Sequence, residues 1–144
     1  MGKSNLEILG DYSLAMISGD SDAVYDFWSD DFVSHVTRRV NPNAVGTDVR
    51  GEEKKFWREC QKAFSDFDMA VNCLVEQGDK IVTNWTISGV HDREAFYGKA
   101  PSNEPVEING TAIIRFENGK IVEHWGGPHC ADGIGVKFDN PHQL

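Results

Sequence analysis

The sequence predicts an α+β domain in which helices come first and a mainly antiparallel sheet follows. Three observations carry this expectation. Apolar residues recur at helical spacing in the first 64 residues, the pattern changes to strand-like alternation from Met69 onward, and Asn118-Gly119 separates two apolar runs. Gly accepts the positive φ that a tight turn needs, so an Asn-Gly step in that setting is a strong hairpin signal. Helices grouped before consecutive strands give the α+β order. The 144 residues are expected to form one domain, 1–144, long enough to bury a core.

The first helix is predicted over Asn5 to Ser18, where Leu6, Leu9, Ser13 and Met16 form a stripe that Ile8, Tyr12 and Ala15 widen; Ser4 or Asn5 can cap it. Gly19-Asp20-Ser21-Asp22 breaks the chain and can cap a short second helix with Ala23, Val24, Phe27 and Trp28 on its apolar face. Phe32 to Val36 alternates like a short strand, and Thr37 to Val49 reads as a polar loop with turn chemistry at Asn41-Pro42-Asn43. Gly51 precedes a third helix, Glu52 to Phe64, with acids in its first turn and Phe56, Trp57, Cys60 and Phe64 near one side. Strands are predicted at Met69 to Glu76, Lys80 to Gly89, Val106 to Phe116 and Lys120 to Trp125, with an irregular connection from His91 to Pro105. Gly126 to Gly133 reads as a polar, glycine-rich exit loop carrying His129, Cys130 and Asp132.

Composition narrows the function. The formal net charge is −9, with acids scattered along the chain. Non-specific binding to nucleic acid or to an anionic membrane needs a surplus of Lys and Arg on one face, so neither partner is expected. No apolar run approaches a membrane span, and the N-terminal residues lack the apolar core of a signal peptide. Cys60, Cys73 and Cys130 are odd in number and widely spaced, which implies neither a disulfide framework nor a zinc site; a reducing cytoplasm is the expected compartment.

Several residues together carry a resemblance. They are Gly19-Asp20 after the first helix, the Asp30-Asp31-Phe32-Val33 run ending at His35, Gly51 before the third helix, and above all Ile114 to Trp125 with its Gly-Lys-Ile-Val-Glu-His-Trp ending. This pattern, over about residues 5–126, resembles the SnoaL-like polyketide cyclase and ester cyclase family of the nuclear transport factor 2-like superfamily. The resemblance implies a cone: three N-terminal helices packed on a strongly curved sheet, with an enclosed cavity and a homodimer through the convex face. It also implies an acid/base pair working without metal or cofactor. One member of that pair sits on the strand before the hairpin turn, and the other, an Asp, often follows the Trp. Matched here, these positions are Ala112 and Gly126, and neither side chain moves a proton. A His that the family often carries in the long loop is matched loosely by His91, followed by Phe96-Tyr97-Gly98. The superfamily also holds isomerases, dehydratases, epoxide hydrolases and non-enzymatic binding domains, so the fold does not fix the reaction.

Strand alternation places His124 and Gly126 on one face and Glu123 and Trp125 on the other. A two-residue hairpin loop pairs Phe116 with Ile121, and a three-residue loop pairs Phe116 with Lys120; one residue of slip exchanges the faces. The three-residue loop is preferred, because it gathers Phe116, Ile114, Ala112, Val122 and His124 on one mostly apolar face. If the family's acid positions mark the cavity, His124 points into it, and His35 enters from the opposite side. The catalytic candidates are therefore His35, as leading base or else a hydrogen-bonded structural residue, with His124, His129 or Asp132 assisting. Cys130 beside His129 is a weaker nucleophile candidate, since sequence neighbours rarely face each other. A metal held by His35, His124 and His129 has no support from spacing. Trp85 and Tyr97 are expected to touch a ligand, His91 to bind substrate or serve as a loop residue, and Arg39 to clamp a carboxylate or stay solvated. Trp28, Trp57, Phe56 and Phe96 are further aromatic candidates for a hydrophobic pocket, though more simply core, and Arg115 with Glu123 is expected as an ion pair on the outer face.

Two functions remain open. One is a cofactor-free enzyme moving a proton alpha to the carbonyl of a small hydrophobic substrate, by cyclisation, isomerisation or dehydration. Burial in an apolar cone lowers a histidine pKa and raises a carboxylate pKa, which suits a base near neutral pH. The alternative is a non-catalytic ligand-binding or interaction module. An enzyme should bring at least two ionisable side chains together inside a closed pocket.

Overall fold

The computed structural model describes residues 2–35 and 49–132, with the backbone alone at 21, 49, 50, 52, 53 and 128–132. Helix α1 spans Asn5–Ser18. Ser4 caps it reciprocally: its Oγ accepts from the Glu7 N–H at 3.2 Å, while the Glu7 carboxylate accepts from the Ser4 N–H at 2.7 Å. Gly19, at φ 89°, ends it in the left-handed conformation that glycine supplies without cost. Asp20 then caps α2, Ser21–Tyr25, by accepting from the Ala23 N–H at 2.9 Å.

The second helix was expected to include Phe27 and Trp28. Instead the sheet captures them: the Ile121 N–H donates to the Phe27 carbonyl at 2.9 Å, and Trp28 opens β1, Trp28–Ser34. Helix α3 is Val49–Ala63, so Gly51 lies within it. Phe64 leaves the helix and starts β2, Phe64–Gln77, because it pairs with His91. Strands β3, Lys80–His91, β4, Pro105–Glu117, and β5, Lys120–Asp132, complete a sheet of order β1-β5-β4-β3-β2. Among the described strands only the β1–β5 pairing is parallel. The helices pack on one face of this curved, unclosed sheet.

Two expectations about the β4–β5 hairpin change. Asn118 and Gly119 both have positive φ, 51° and 77°, so the loop has two residues and Phe116 pairs with Ile121. A bulge then intervenes. Arg115 pairs with Glu123, leaving Val122 as the extra residue, and from there Ile114 faces His124 and Ala112 faces Gly126. The turn thus takes the register not preferred, and the bulge restores His124 to the row of Ile114 and Ala112. Second, β5 does not end at Trp125 but runs on to Asp132, with Cys130 opposite Asn109 and Asp132 opposite Glu107. The glycine-rich stretch reads as an exit loop, yet β4 begins early enough to offer a pairing partner as far as Asp132.

The core lies between the sheet's inner face and the helices: Ile8, Leu9, Val24, Trp28, Phe32, Phe56, Cys60, Phe64, Ile81, Ile87 and Ile108 are all buried. The outer face carries a polar ladder. Asn84 donates to the Gly110 carbonyl at 3.0 Å, and Asn109 donates to the Trp85 carbonyl at 3.0 Å and to Thr86 Oγ1 at 3.1 Å. Asn72 on β2 donates to Asn84 Oδ1 at 2.9 Å.

Candidate functional site

Between the helices and the inner face of the sheet lies a predominantly apolar cavity. Helix α1 contributes Leu9, Tyr12, Ser13 and Met16, four residues that helical periodicity sets on one stripe. Helix α3 contributes Phe56 and Trp57. The sheet supplies the floor as successive rungs: Ile114 beside His124, then Thr83 beside Ala112, then Val71 beside Trp85, with Met69 and Gly127 at the margins. The water-accessible volume is ≈ 50 Å³, and ≈ 610 Å³ of space lies within the walls when the open mouth is counted. The smaller figure suits a few water molecules. A larger ligand must use the mouth, where Val71 is 44 % exposed.

His124 is the only lining residue of the described chain that titrates near neutral pH in its unperturbed state. Its ring atom Nε2 is buried. Its backbone is fixed from the far side of the strand, where the His35 N–H donates to the His124 carbonyl at 2.8 Å. Tyr12 brings a phenol to the same cavity from the helix side, its ring held edge-on to Trp28 at 6.0 Å.

His35 does not enter this cavity. Its Nε2 lies 2.8 Å from Glu123 Oε2, and its ring stacks on Trp125 at 5.1 Å with planes 6° apart. Glu123 and Trp125 belong to the face of β5 opposite His124, so the ring lies on the outside. Alternation along β1 explains this: Phe32 is buried and Val33 is 47 % exposed, and His35 shares parity with Val33. Arg115 Nε donates to Glu123 Oε1 at 3.2 Å, so the expected outer ion pair also takes in the imidazole. The hydrogen bond from His35, and then that from Arg115, hold the Glu123 carboxyl below its ordinary pKa.

The other candidates separate. Trp85 lines the cavity, its indole lying across Gly110; a Cβ there would stand 2.2 Å from Trp85 Cζ2. His91 lies outside the cavity walls, fully buried at the end of β3, with Nε2 2.9 Å from the Glu94 carbonyl and the ring edge-on to Phe64 at 5.3 Å. It holds the start of the β3–β4 connection. Tyr97 packs in that connection against Phe96 at 4.9 Å, also outside the cavity walls. Arg39 and the side chains of His129, Cys130 and Asp132 lie outside the described residues. Among the described residues no group of three His, Cys, Asp or Glu forms a metal-ligating set. His35 and His124 sit on opposite faces of the sheet and cannot share an ion.

The two positions matched to the family's acid/base pair face each other across β4 and β5. Ala112 lines the cavity. Gly126 has φ 91°, and a Cβ there would stand 2.1 Å from the Thr111 carbonyl oxygen. Glycine at 126 is therefore a requirement of this backbone, beyond the loss of an acid.

Of the lining residues, Trp85 and His124 have a site role from sequence; Thr83, Trp57 and Tyr12 are among those that do not. Thr83 is the polar member of an otherwise apolar inward row, Ile81-Thr83-Trp85-Ile87, and that exception is the signal that marks it. Trp57 read as core, and Tyr12 read as part of the α1 stripe; spacing alone does not separate a core wall from a cavity wall.

Comparison with known proteins agrees with this geometry. IdmH from Streptomyces antibioticus, a proposed polyketide cyclase, is 27 % identical with a TM-score of 0.70, covering 90 % of this chain and 93 % of its own. AclR from Streptomyces galilaeus, a proposed hydroxylase, is 24 % identical with a TM-score of 0.70, covering 85 % of this chain and 73 % of its own. TsrD from Streptomyces laurentii is 18 % identical with a TM-score of 0.69, covering 91 % and 92 %. No curated protein sequence matches. These likenesses identify the nuclear transport factor 2-like α+β fold. The family model for SnoaL-like polyketide cyclases matches residues 7–136, and the chain belongs to that family.

Proposed function

We propose that the protein is a cofactor-free acid/base enzyme acting on a small, largely apolar carbonyl compound in the cavity, with His124 as the group that moves the proton. The carrying observation is the lone imidazole of His124 in a wall made otherwise of apolar and neutral side chains. In the neutral form it takes a proton from a carbon next to the carbonyl, and the C–H electron pair passes to the carbonyl oxygen as an enolate. Return of the proton at another carbon completes an isomerisation; attack of the enolate carbon on a second carbonyl completes a cyclisation. Tyr12 brings a phenol to the same cavity from α1. Related solved structures described as proposed cyclases support the class of reaction.

Proton abstraction is measurable without the natural substrate. In D₂O the wild type should speed deuterium exchange at the α-carbon of 1-tetralone above buffer, read by NMR, and His124→Gln should return it to the buffer rate. Exchange undiminished in His124→Gln removes His124 from the role. A second reading, a non-catalytic ligand-binding module, is favoured by Ala112 and Gly126, the facing pair that carries no acid. Tetralone binding without exchange by the wild type selects that reading.

By resemblance we also propose a homodimer through the outer face of the sheet, where Val75 and Val82 pair and are 57 % and 38 % exposed. Sedimentation velocity tests it. We also propose a reducing, cytoplasmic setting, from three cysteines that are few, odd in number and widely spaced in the sequence. No helix among the described residues is long and apolar enough to cross a membrane.

A further inference from the structure

Two buried polar atoms on the cavity wall have no hydrogen-bond partner among the described residues: Trp57 Nε1 and Thr83 Oγ1. Their residues are 8 % and 5 % exposed. Leaving a buried donor unmet forfeits its hydration without return, and native structures rarely tolerate it. His91 Nδ1 is also buried and unmet, but it lies away from the cavity walls. The two cavity atoms come from opposite layers. Trp57 descends from α3, and its ring approaches that of Trp85 at 6.5 Å; Thr83 stands two residues before Trp85 on the same face of β3. They therefore belong to one side of the cavity.

Their chemistry is selective. An indole N–H only donates, and a threonine hydroxyl donates while it also accepts. A group that satisfies the indole must be an acceptor. An oxygen with two lone pairs and no need to donate, a ketone or the enolate made from it, fits both side chains. From this geometry we infer that Trp57 and Thr83 are the anchor for the ligand's carbonyl oxygen. His124 stands on β5, with β4 between it and Thr83. The inference deepens the proposed function and rests on its placement of the ligand in this cavity, but it does not require His124 to be catalytic.

The test is selective binding, separate from turnover. The probes are 1-tetralone and tetralin, which differ only by the carbonyl oxygen, and equilibrium dialysis gives both affinities. The wild type should favour the ketone about tenfold, the worth of one or two well-made hydrogen bonds. Trp57→Phe and Thr83→Val should each reduce that ratio toward one, while Leu14→Ala, on the exposed side of α1, should keep it. Thr83→Val should also leave the ligand-free protein as stable as the wild type or more so, because it removes a buried hydroxyl that nothing satisfies. The inference is overturned if both variants keep the wild-type ratio, if the wild type binds neither probe or both equally, or if Thr83→Val loses stability as a structural hydroxyl would. Failure of deuterium exchange with the binding ratio intact removes the catalytic reading and leaves the anchor standing.

Discussion

Replacing Gly126 by alanine should destabilise the protein far more than its small size implies. A Cβ at this position would stand 2.1 Å from the Thr111 carbonyl oxygen and 3.1 Å from the Thr111 carbonyl carbon. Contact at van der Waals distance requires the β4–β5 ladder to open by about 1 Å, which breaks or stretches its local hydrogen bonds at roughly 1 kcal/mol each. The backbone conformation adds a second cost. At φ 91° an L-residue loses roughly 1–2 kcal/mol relative to glycine. Together these give about 3–4 kcal/mol, or roughly 10–15 °C in Tm for a chain of this length. Gly119→Ala supplies the internal comparison: φ is 77°, but nothing lies within 4 Å of its added Cβ, so it carries the conformational cost alone. Urea unfolding of both variants, followed by far-UV circular dichroism, measures the difference. A Gly126→Ala midpoint no lower than that of Gly119→Ala would refute the close-approach reasoning. The same argument says that restoring an acid by Gly126→Asp meets the carbonyl oxygen before it meets the cavity.

Two further predictions concern reactivity and pH. Cys60 is fully buried, and burial pushes its thiol pKa upward, whereas Cys73 is exposed on β2; native-state alkylation mapped by mass spectrometry should label Cys73 and spare Cys60 until denaturant is added. Glu123 has a depressed pKa in the folded state, so its contribution to stability is present above the unfolded value near 4.5 and is lost as pH falls through the folded value. Glu123→Gln should therefore be less stable than the wild type at pH 6, and the gap in urea midpoint should close on acidification; a gap independent of pH would show that the outer cluster does not hold the carboxylate.

Much of the fold was legible because its signals are local. The boundaries of α1 follow from a capping box, an apolar stripe and a terminal glycine, all within about five turns of helix. The Asn118-Gly119 turn was visible for the same reason. What escaped was set by pairing partners distant in sequence. Trp28 reads as the end of a helix until Ile121 is there to pair with it, and residues 126–132 read as a loop until β4 lies alongside. The bulge at Val122 is invisible to alternation, which assumes that every residue advances the register. His35 follows a run in which both Phe32 and Val33 are apolar, so alternation alone points either way; burial of Phe32 and exposure of Val33 put it outside. Thr83 carries a hydroxyl that does not titrate near neutral pH, and only its burial without a partner among the described residues marks it.

Strand β2 has a consequence of a different kind. It is fourteen residues long, lies at one end of the strand order, and exposes Val71, Leu74 and Val75. A long apolar edge is a template onto which another chain can add a strand. Here the template is spoiled at intervals: bulges fall between Ser65 and Asp68 and between Val71 and Cys73, and Asp66, Asp68 and Glu76 place charge along it. The strand that gives Met69 and Val71 to the cavity wall is thus also the sheet's growth front. Irregular spacing and negative charge there oppose the docking of a further strand, a task that falls to residues outside the cavity wall.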